Sequence, residues 1–319
     1  MNKIGFPGLG IEEFELERIA FEMFGRPVAW YGIIIAFGML VAIAYVMWRT
    51  TQYKGIKTDD VIDFAIFVIV FGVIGARLYY VIFDPTPNYD SLLDVIALWE
   101  GGLAIYGGII AGAITAIVIC LIKKIHIPCF LDMLAPAVMI AQSIGRWGNF
   151  FNAEAHGGVT DIFIRMTING TPYHPTFLYE SLWNLVGFIA LTVLYNKRKF
   201  DGQIVLGYIA WYGLGRTFIE GLRTDSLFIG PLRVSQVLAL ISFLAAMGVM
   251  IYLWFFKKVG RYESASYKCV CNGERTVEEA NGTENENDAT FDSVLDEEDA
   301  NDSTENNEYQ GEFKNGNHN

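Results

Sequence analysis

The chain has 319 residues, of which 53% are hydrophobic and only 18% charged, whereas a soluble domain of this size carries about a quarter charged residues. That composition excludes an ordinary water-soluble globule. The formal net charge of −12 does not describe the body of the protein: from Tyr262 onward there are 16 Asp/Glu against three Lys/Arg, while residues 1–261 hold 20 Lys/Arg and 19 Asp/Glu. A nearly neutral apolar body therefore precedes an acidic tail, and no nucleic-acid partner is expected.

Residues 1–27 are polar-rich and contain no compact apolar run ending in a small-residue cleavage site, so no cleavable signal peptide is read there. Apolar and polar residues alternate over parts of Ile11–Phe24 before Gly25-Arg26-Pro27, which suits a short hairpin or an interfacial helix. This segment reads as an N-terminal arm. Apolar runs long enough to cross a bilayer, about 20 residues each, then follow at Pro27–Trp48, Val61–Phe83, Gly101–Ile122, Pro128–Gly148, Thr176–Tyr195, Ile204–Glu220 and Val234–Phe256. Between the fourth and fifth, Asn149–Pro175 is a longer excursion. Within it Ile162–Ile168 reads as a strand, followed by an Asn169-Gly170 turn and Thr171-Pro172. Residues 149–175 are expected to cap the bundle. From residue 259 to 319 the chain is rich in Asn, Glu, Asp and Gly and is expected to be a disordered tail.

Loop charges orient the spans. Arg49, Lys54 and Lys57 follow the first, Lys123 and Lys124 the third, Lys197 to Lys199 the fifth, and Lys257, Lys258 and Arg261 the seventh. The loop from Asp84 to Glu100 has no Lys or Arg. The positive-inside rule makes the basic loops cytoplasmic, with the N-terminus outside and the acidic tail inside. The expected fold is an all-α integral membrane protein. Residues 28–258 form a bundle of seven transmembrane helices with a small extracytoplasmic cap and an N-terminal arm.

Ionisable side chains inside a span are expensive unless paired or solvated, and each is a functional hypothesis. Arg77 lies six residues inside the outer end of the second span, about 9 Å deep at 1.5 Å per residue. Arg146 ends the fourth span, Arg216 stands about a turn from the end of the sixth, and Glu180 and Glu220 also sit at outer ends, near Gln142, Ser143, Asn149 and Asn184. Tyr31 and Tyr106 occupy the outer ends of the first and third spans. One arginine at a helix end is explained by snorkelling, and a tyrosine by the interfacial belt. Several arginines, two glutamates and several amides at one depth point instead to a site. A guanidinium fork matches phosphate geometry, so an anionic phospholipid headgroup is the expected ligand. No histidine or cysteine set makes a metal site, and no cofactor is expected. His174 suits capping, packing or a place in the site. His156 is expected in the cap, and His126 and His318 on the surface.

The most specific stretch is Gly145-Arg-Trp-Gly-Asn-Phe-Phe-Asn-Ala-Glu-Ala-His-Gly157, which delivers Arg146, Asn149, Asn152 and Glu154 in quick succession. It resembles the signature of the prolipoprotein diacylglyceryl transferase family. Further matches follow in order: Trp30-Tyr31-Gly32, Gly75-Ala-Arg77-Leu-Tyr-Tyr, Glu100-Gly-Gly-Leu-Ala-Ile-Tyr106-Gly-Gly, His174-Pro-Thr-Phe-Leu-Tyr-Glu180, and Gly215-Arg216 through Glu220 to Arg223. The resemblance covers about residues 10–258 and leaves the tail out. It implies an enzyme of the bacterial cytoplasmic membrane that moves the diacylglyceryl unit of phosphatidylglycerol onto the lipobox cysteine of preprolipoproteins. A thioether forms and glycerol phosphate leaves. The resemblance places Arg146, Asn149, Glu154 and Gly157 in the signature, and Tyr31, Tyr212, Arg216 and Glu220 at other functional positions. Tyr106 stands where well-known members have a histidine that has been considered catalytic.

The residue types suit that chemistry. Arginine charge favours the thiolate of an attacking cysteine, and Arg146 and Arg216 can stabilise charge on a departing phosphate. The expected catalytic set is Arg146, Arg216, Tyr106 and Tyr31. Arg146, Asn149, Glu154, Gly157, Arg77, Tyr212 and Glu220 are expected to bind substrate. A transporter or flippase for an anionic lipid or solute is the alternative, but such folds often carry inverted repeats and a midplane site. No repeat is visible, and the polar set lies in the outer third. A scaffold whose acidic tail recruits a basic partner would leave the arginine cluster unexplained.

Overall fold

The structure is a computed structural model that describes residues 2–51, 56–84, 91–97, 101–224, 228–229 and 232–255. The acidic tail lies outside these residues. Seven long helices form the body: α1 (Trp30–Thr50), α2 (Thr58–Phe83), α4 (Ile105–Ile122), α5 (Ile127–Asn152), α6 (Thr176–Tyr195), α7 (Gln203–Glu220) and α8 (Val234–Phe255). A short helix, α3 (Leu92–Ile96), lies in the connection from α2 to α4. Six of the seven long helices are long and apolar enough to cross a membrane. The seventh, α7, carries Gln203, Arg216, Thr217 and Glu220 within 18 residues.

The helices show where they expect lipid. Large apolar side chains stand outward on α1, α2, α4, α6 and α8, as at Phe37, Ile66, Ile114, Val186 and Leu244. In water such a surface would be a liability, whereas hydrocarbon accepts it. Helix α8 buries only Ala239 and Ala246, while α5 buries eleven residues. Helix α5 is therefore the central post, packed against α1, α6 and α7. Its 26 residues make about 39 Å of helix, longer than a hydrocarbon core of about 30 Å.

Helix–helix association in lipid rests on close packing and interhelical hydrogen bonds rather than on a hydrophobic drive. Both are present. A Cβ on Gly75 of α2 would stand 2.2 Å from the Ala111 Cβ of α4, so only glycine allows that approach. Ser143 of α5 and Ser181 of α6 each donate to the other's backbone carbonyl, at 2.8 and 2.9 Å.

The two ends of the bundle differ. At one end Arg49 is buried, donates to the Tyr45 hydroxyl and the Thr192 carbonyl, and stacks on Tyr195. There too Asp132, fully buried in α5, accepts from the backbone N–H groups of Gly202, Ile204 and Val205 and so caps α7. His126, expected at the surface, is half-buried with its Nδ1 3.3 Å from Asp201. Lys123 sits between Asp60 and Asp63 at 2.6 and 2.8 Å, and these hydrogen bonds push its pKa up to about 12.

The other end carries strands. Strands β1 (Asn2–Phe6), β2 (Ile11–Leu16), β5 (Met166–Ile168) and β6 (Thr171–Tyr173) form one sheet in the order β2-β1-β5-β6. The N-terminal arm and the 149–175 excursion, separate in the sequence reading, thus share a sheet through Ile4↔Ile168 and Gly5↔Thr167. Ile4, Leu16, Phe150, Met166 and Phe177 pack beneath it and seat it on α5 and α6. The expected strand at Ile162–Ile168 shortens to Met166–Ile168, because the chain turns at Ile162–Arg165, where the Arg165 N–H bonds the Ile162 carbonyl. The Asn169-Gly170 turn is present, with both residues at positive φ as a two-residue hairpin loop requires. A second hairpin, β3 (Ile19–Met23) with β4 (Arg26–Ala29), leads directly into α1. A third, β7 (Phe228–Ile229) with β8 (Leu232–Arg233), precedes α8.

Candidate active site

At the strand-bearing end, α5 continues past Gly148, where the sequence suggested its span would stop, to Asn152. It halts when Ala153 enters the left-handed region at φ 53°. The extra turn keeps Arg146 and Asn149, three residues apart, on one helical face. The Arg146 Nη2 lies 2.6 Å from Oε2 of Glu180, and its Nη1 donates to the Asn149 side-chain oxygen at 3.4 Å.

Glu180, on the first turns of α6, is the hub. Its other oxygen, Oε1, lies 2.9 Å from Arg216 Nη1 and 3.4 Å from Arg223 Nη1. Arg216 turns its second nitrogen to Glu220, one turn on in α7, at 2.6 Å. Arg233 of β8 donates to the Glu220 backbone carbonyl. The glutamate side chains are 5% and 2% exposed, against 21%, 17% and 11% for Arg146, Arg216 and Arg223. Two carboxylates thus lie beneath three guanidiniums and hold them in fixed orientations. Among these five groups the guanidiniums outnumber the carboxylates by one and are the more exposed. Such preorganised cations can receive a monoanionic phosphodiester and later stabilise the charge it takes away.

A loop binds the three contributing helices together. Asn149 and Asn152 both donate to Oε1 of Glu154, at 3.0 and 3.1 Å. The Gly157 N–H then bonds the His174 carbonyl before α6, and the Gly158 N–H bonds the Leu222 carbonyl after α7, both at 2.9 Å. A Cβ on Gly157 would stand 2.6 Å from the His174 Cβ and 2.9 Å from the Leu222 carbonyl oxygen. Glycine is the residue that lets these backbones meet. Ala153 and Ala155 hold φ near +55° in the same loop, a left-handed conformation that costs an L-residue about 1–2 kcal/mol.

The remaining sequence candidates are placed differently. Tyr212 stands one turn inside Arg216 on α7 and stacks on Tyr208, whose hydroxyl accepts from Gln142 at 2.9 Å. The Tyr31 ring packs on Gly148, where a Cβ would lie 2.7 Å from it. Tyr106 is 56% exposed at the start of α4, and among the described residues its hydroxyl has no hydrogen-bond partner and no contact with the Arg–Glu cluster. Arg77 is buried and points to backbone: it donates to the carbonyls of Asp94, Val95, Gly101 and Gly102 at 2.6 to 3.2 Å. His174 faces the Tyr179 hydroxyl at 3.4 Å, and His156 packs on Tyr173. Among the described residues no group of His, Cys, Asp and Glu could hold a metal ion.

The sequence puts Glu180 at the same helix end as Arg146 and Arg216 but does not mark it as the shared partner of three arginines. Arg223 appears in it only as the end of a motif. The signal for Glu180 was present, since a carboxylate in an apolar helix demands a counter-charge. Which arginines would answer it depends on helix rotation, which depth alone does not give.

Residues 18–252 match the family model described as prolipoprotein diacylglyceryl transferase. A phosphatidylglycerol–prolipoprotein diacylglyceryl transferase of Listeria monocytogenes is 42% identical over 249 residues, covering 74% of this chain and 90% of the relative. The protein of the same name from Enterococcus faecalis is 44% identical with the same coverage. That of Clostridioides difficile is 42% identical over 238 residues, 75% of this chain and 96% of its own length.

Proposed function

The chain belongs to the prolipoprotein diacylglyceryl transferase family, and we propose that its Arg146–Glu180–Arg216 cluster is where the transfer takes place. The substrates are phosphatidylglycerol and the lipobox-containing precursors of lipoproteins, and the step is the first in their maturation. The cysteine sulfur forms a bond to the glyceryl carbon as the bond from that carbon to the phosphate oxygen breaks. The diacylglyceryl unit ends on sulfur as a thioether, and glycerol phosphate leaves with the electron pair.

The observation that carries this reading is the convergence of Arg146, Arg216 and Arg223 on the buried Glu180 carboxylate. Arg146 and Arg216 bind the phosphodiester and stabilise the leaving phosphate, and their positive field favours the thiolate. Asn149, Glu154 and Gly157 hold the signature loop and the headgroup against the cluster. Glu220 orients Arg216, while Tyr212 and Tyr31 bound the site on α7 and α1. Arg77 supports the site from outside the cluster by fixing the segment that leads to Tyr106. Tyr106 meets the incoming thiol or its proton, a role that its exposed hydroxyl permits.

The reading includes topology. The arginine cluster and strands face the outside of a bacterial cytoplasmic membrane, and the basic loops and acidic tail face the cytoplasm. Exported precursors and outer-leaflet lipid then meet at one site. The test is incubation of purified protein with phosphatidylglycerol and a lipobox peptide, followed by mass measurement of the peptide. A diacylglyceryl mass on the cysteine, lost in Arg146→Ala, is expected. Folded wild-type protein that gives no product would overturn the reading.

A further inference from the structure

Helices α6 and α7 carry the same four-residue spacing, Trp183-x-x-x-Gly187 and Trp211-x-x-x-Gly215, and in the fold the two motifs interlock. The Trp183 indole N–H donates to the backbone carbonyl of Trp211 at 3.0 Å, and the Trp211 indole N–H donates to the carbonyl of Trp183 at 3.0 Å. The rings stack with centroids 4.6 Å apart and planes 24° apart.

Each glycine makes room for the other helix's indole. A Cβ on Gly215 would stand 2.2 Å from Trp183 Nε1, and one on Gly187 would stand 2.5 Å from Trp211 Nε1. Gly187 also faces the Met139 sulfur of α5, so the interlock meets the central helix as well. Each receiving carbonyl already serves its own helix and takes the indole on its second lone pair.

We propose that Trp183 and Trp211 are positioning residues for the transfer reaction, setting the register of α6 against α7 so that Glu180 meets Arg216. The inference rests on the reading of the Arg–Glu cluster as the transfer site. Glu180 is three residues from Trp183, and Arg216 follows Gly215 directly. A slip of one residue along either helix is about 1.5 Å, enough to break both indole bonds and the 2.9 Å contact between Glu180 and Arg216. Packed aliphatic side chains between lipid-embedded helices impose no such directional constraint. The Ser143–Ser181 pair holds α5 to α6 in the same reciprocal way, and the indole pair holds α6 to α7.

The test is a double-mutant cycle with Trp183→Phe and Glu180→Gln, measured as kcat and KM in the phosphatidylglycerol and lipobox-peptide assay. Trp183→Phe keeps a ring but removes the donor. It is expected to lower kcat roughly tenfold to a hundredfold, the scale of a 1 Å misplacement, with KM within about twofold. In the Glu180→Gln background it should add little, because it acts through Glu180. Full kcat in Trp183→Phe, or losses that multiply independently, overturns the inference. The geometry has its own readout. The stacked indoles should give an exciton couplet in circular dichroism that disappears in Trp183→Phe and in Gly187→Ala. A wild-type couplet without turnover would leave the interlock standing and sink the transfer reading. A wild type that turns over without a couplet would sink the interlock.

Discussion

Glu180 accepts from three arginines on three chain segments, and a neutral amide in its place would keep the shape and lose the charge. Breaking a buried ion pair from one side costs about 3–5 kcal/mol. Because the arginines here are 11–21% exposed, Glu180→Gln is expected at the low end, about 3 kcal/mol, read as a lowered melting temperature in detergent micelles. Its turnover should fall as well, since Arg146 and Arg216 lose their common anchor; unchanged kcat would remove Glu180 from the site. Tyr106 is the opposite case, exposed and without a polar partner among the described residues. If its hydroxyl carries a proton, Tyr106→Phe will lower kcat at unchanged stability, and full activity in that variant would assign the proton to another group. At this scale the sequence was most informative about identity and depth. Arg146, Arg216 and Glu220 were visible as charges that an apolar helix cannot hold without partners. Arg77 looked equivalent to them and is not, because depth along α2 does not say that its donors would turn towards the carbonyls of Asp94, Val95, Gly101 and Gly102.

Elements supply what single residues could not. The apolar run of α5 gives out at Gly148 in the sequence, but the helix continues to Asn152, and the signature becomes one face of a helical turn followed by a loop. The paired glycines and tryptophans of α6 and α7 were legible as letters but not as an interlock, because reciprocal contacts exist only between elements. Arg77 belongs here. It ties α2 to the connection that contains α3 and leads into α4, with four hydrogen bonds to carbonyls. Arg77→Ala removes a buried cation and leaves those carbonyls to find other donors. Amide hydrogen exchange over residues 91–97 and 101–104 should speed up by about tenfold or more, while α5–α7 keep wild-type protection. Unchanged exchange in that segment, or an equal loss of protection in α5–α7, would deny Arg77 its local role.

The whole molecule separates its two kinds of polar work along the bundle axis. At one end Asp132 caps α7, Arg49 is sealed among aromatic rings, and Lys123 bridges two aspartates of α2. At the other, which also carries the strands, three guanidiniums converge on Glu180. The alternation of basic loops was enough to distinguish these ends in the sequence. The pairing of β1 with β5 was not, because strands β2 to β4 and helices α1 to α5 lie between the partners and no local pattern links them. The division makes a prediction that neither end makes alone. Asp132 is 14 residues from Arg146 on the same helix, about 21 Å at 1.5 Å per residue. Asp132→Ala removes the cap of α7 and a counter-charge of Arg198, which together should cost about 2–4 kcal/mol. Thermal unfolding in micelles would register that loss. Turnover per folded molecule should stay within about twofold of wild type, because the Ser143–Ser181 and Trp183–Trp211 contacts between the two ends continue to hold α5, α6 and α7 in register. A variant equally unstable but also inactive at temperatures where it remains folded would mean that the register of α7 is set from its capped end, and that the ion pairs at that end take part in building the site.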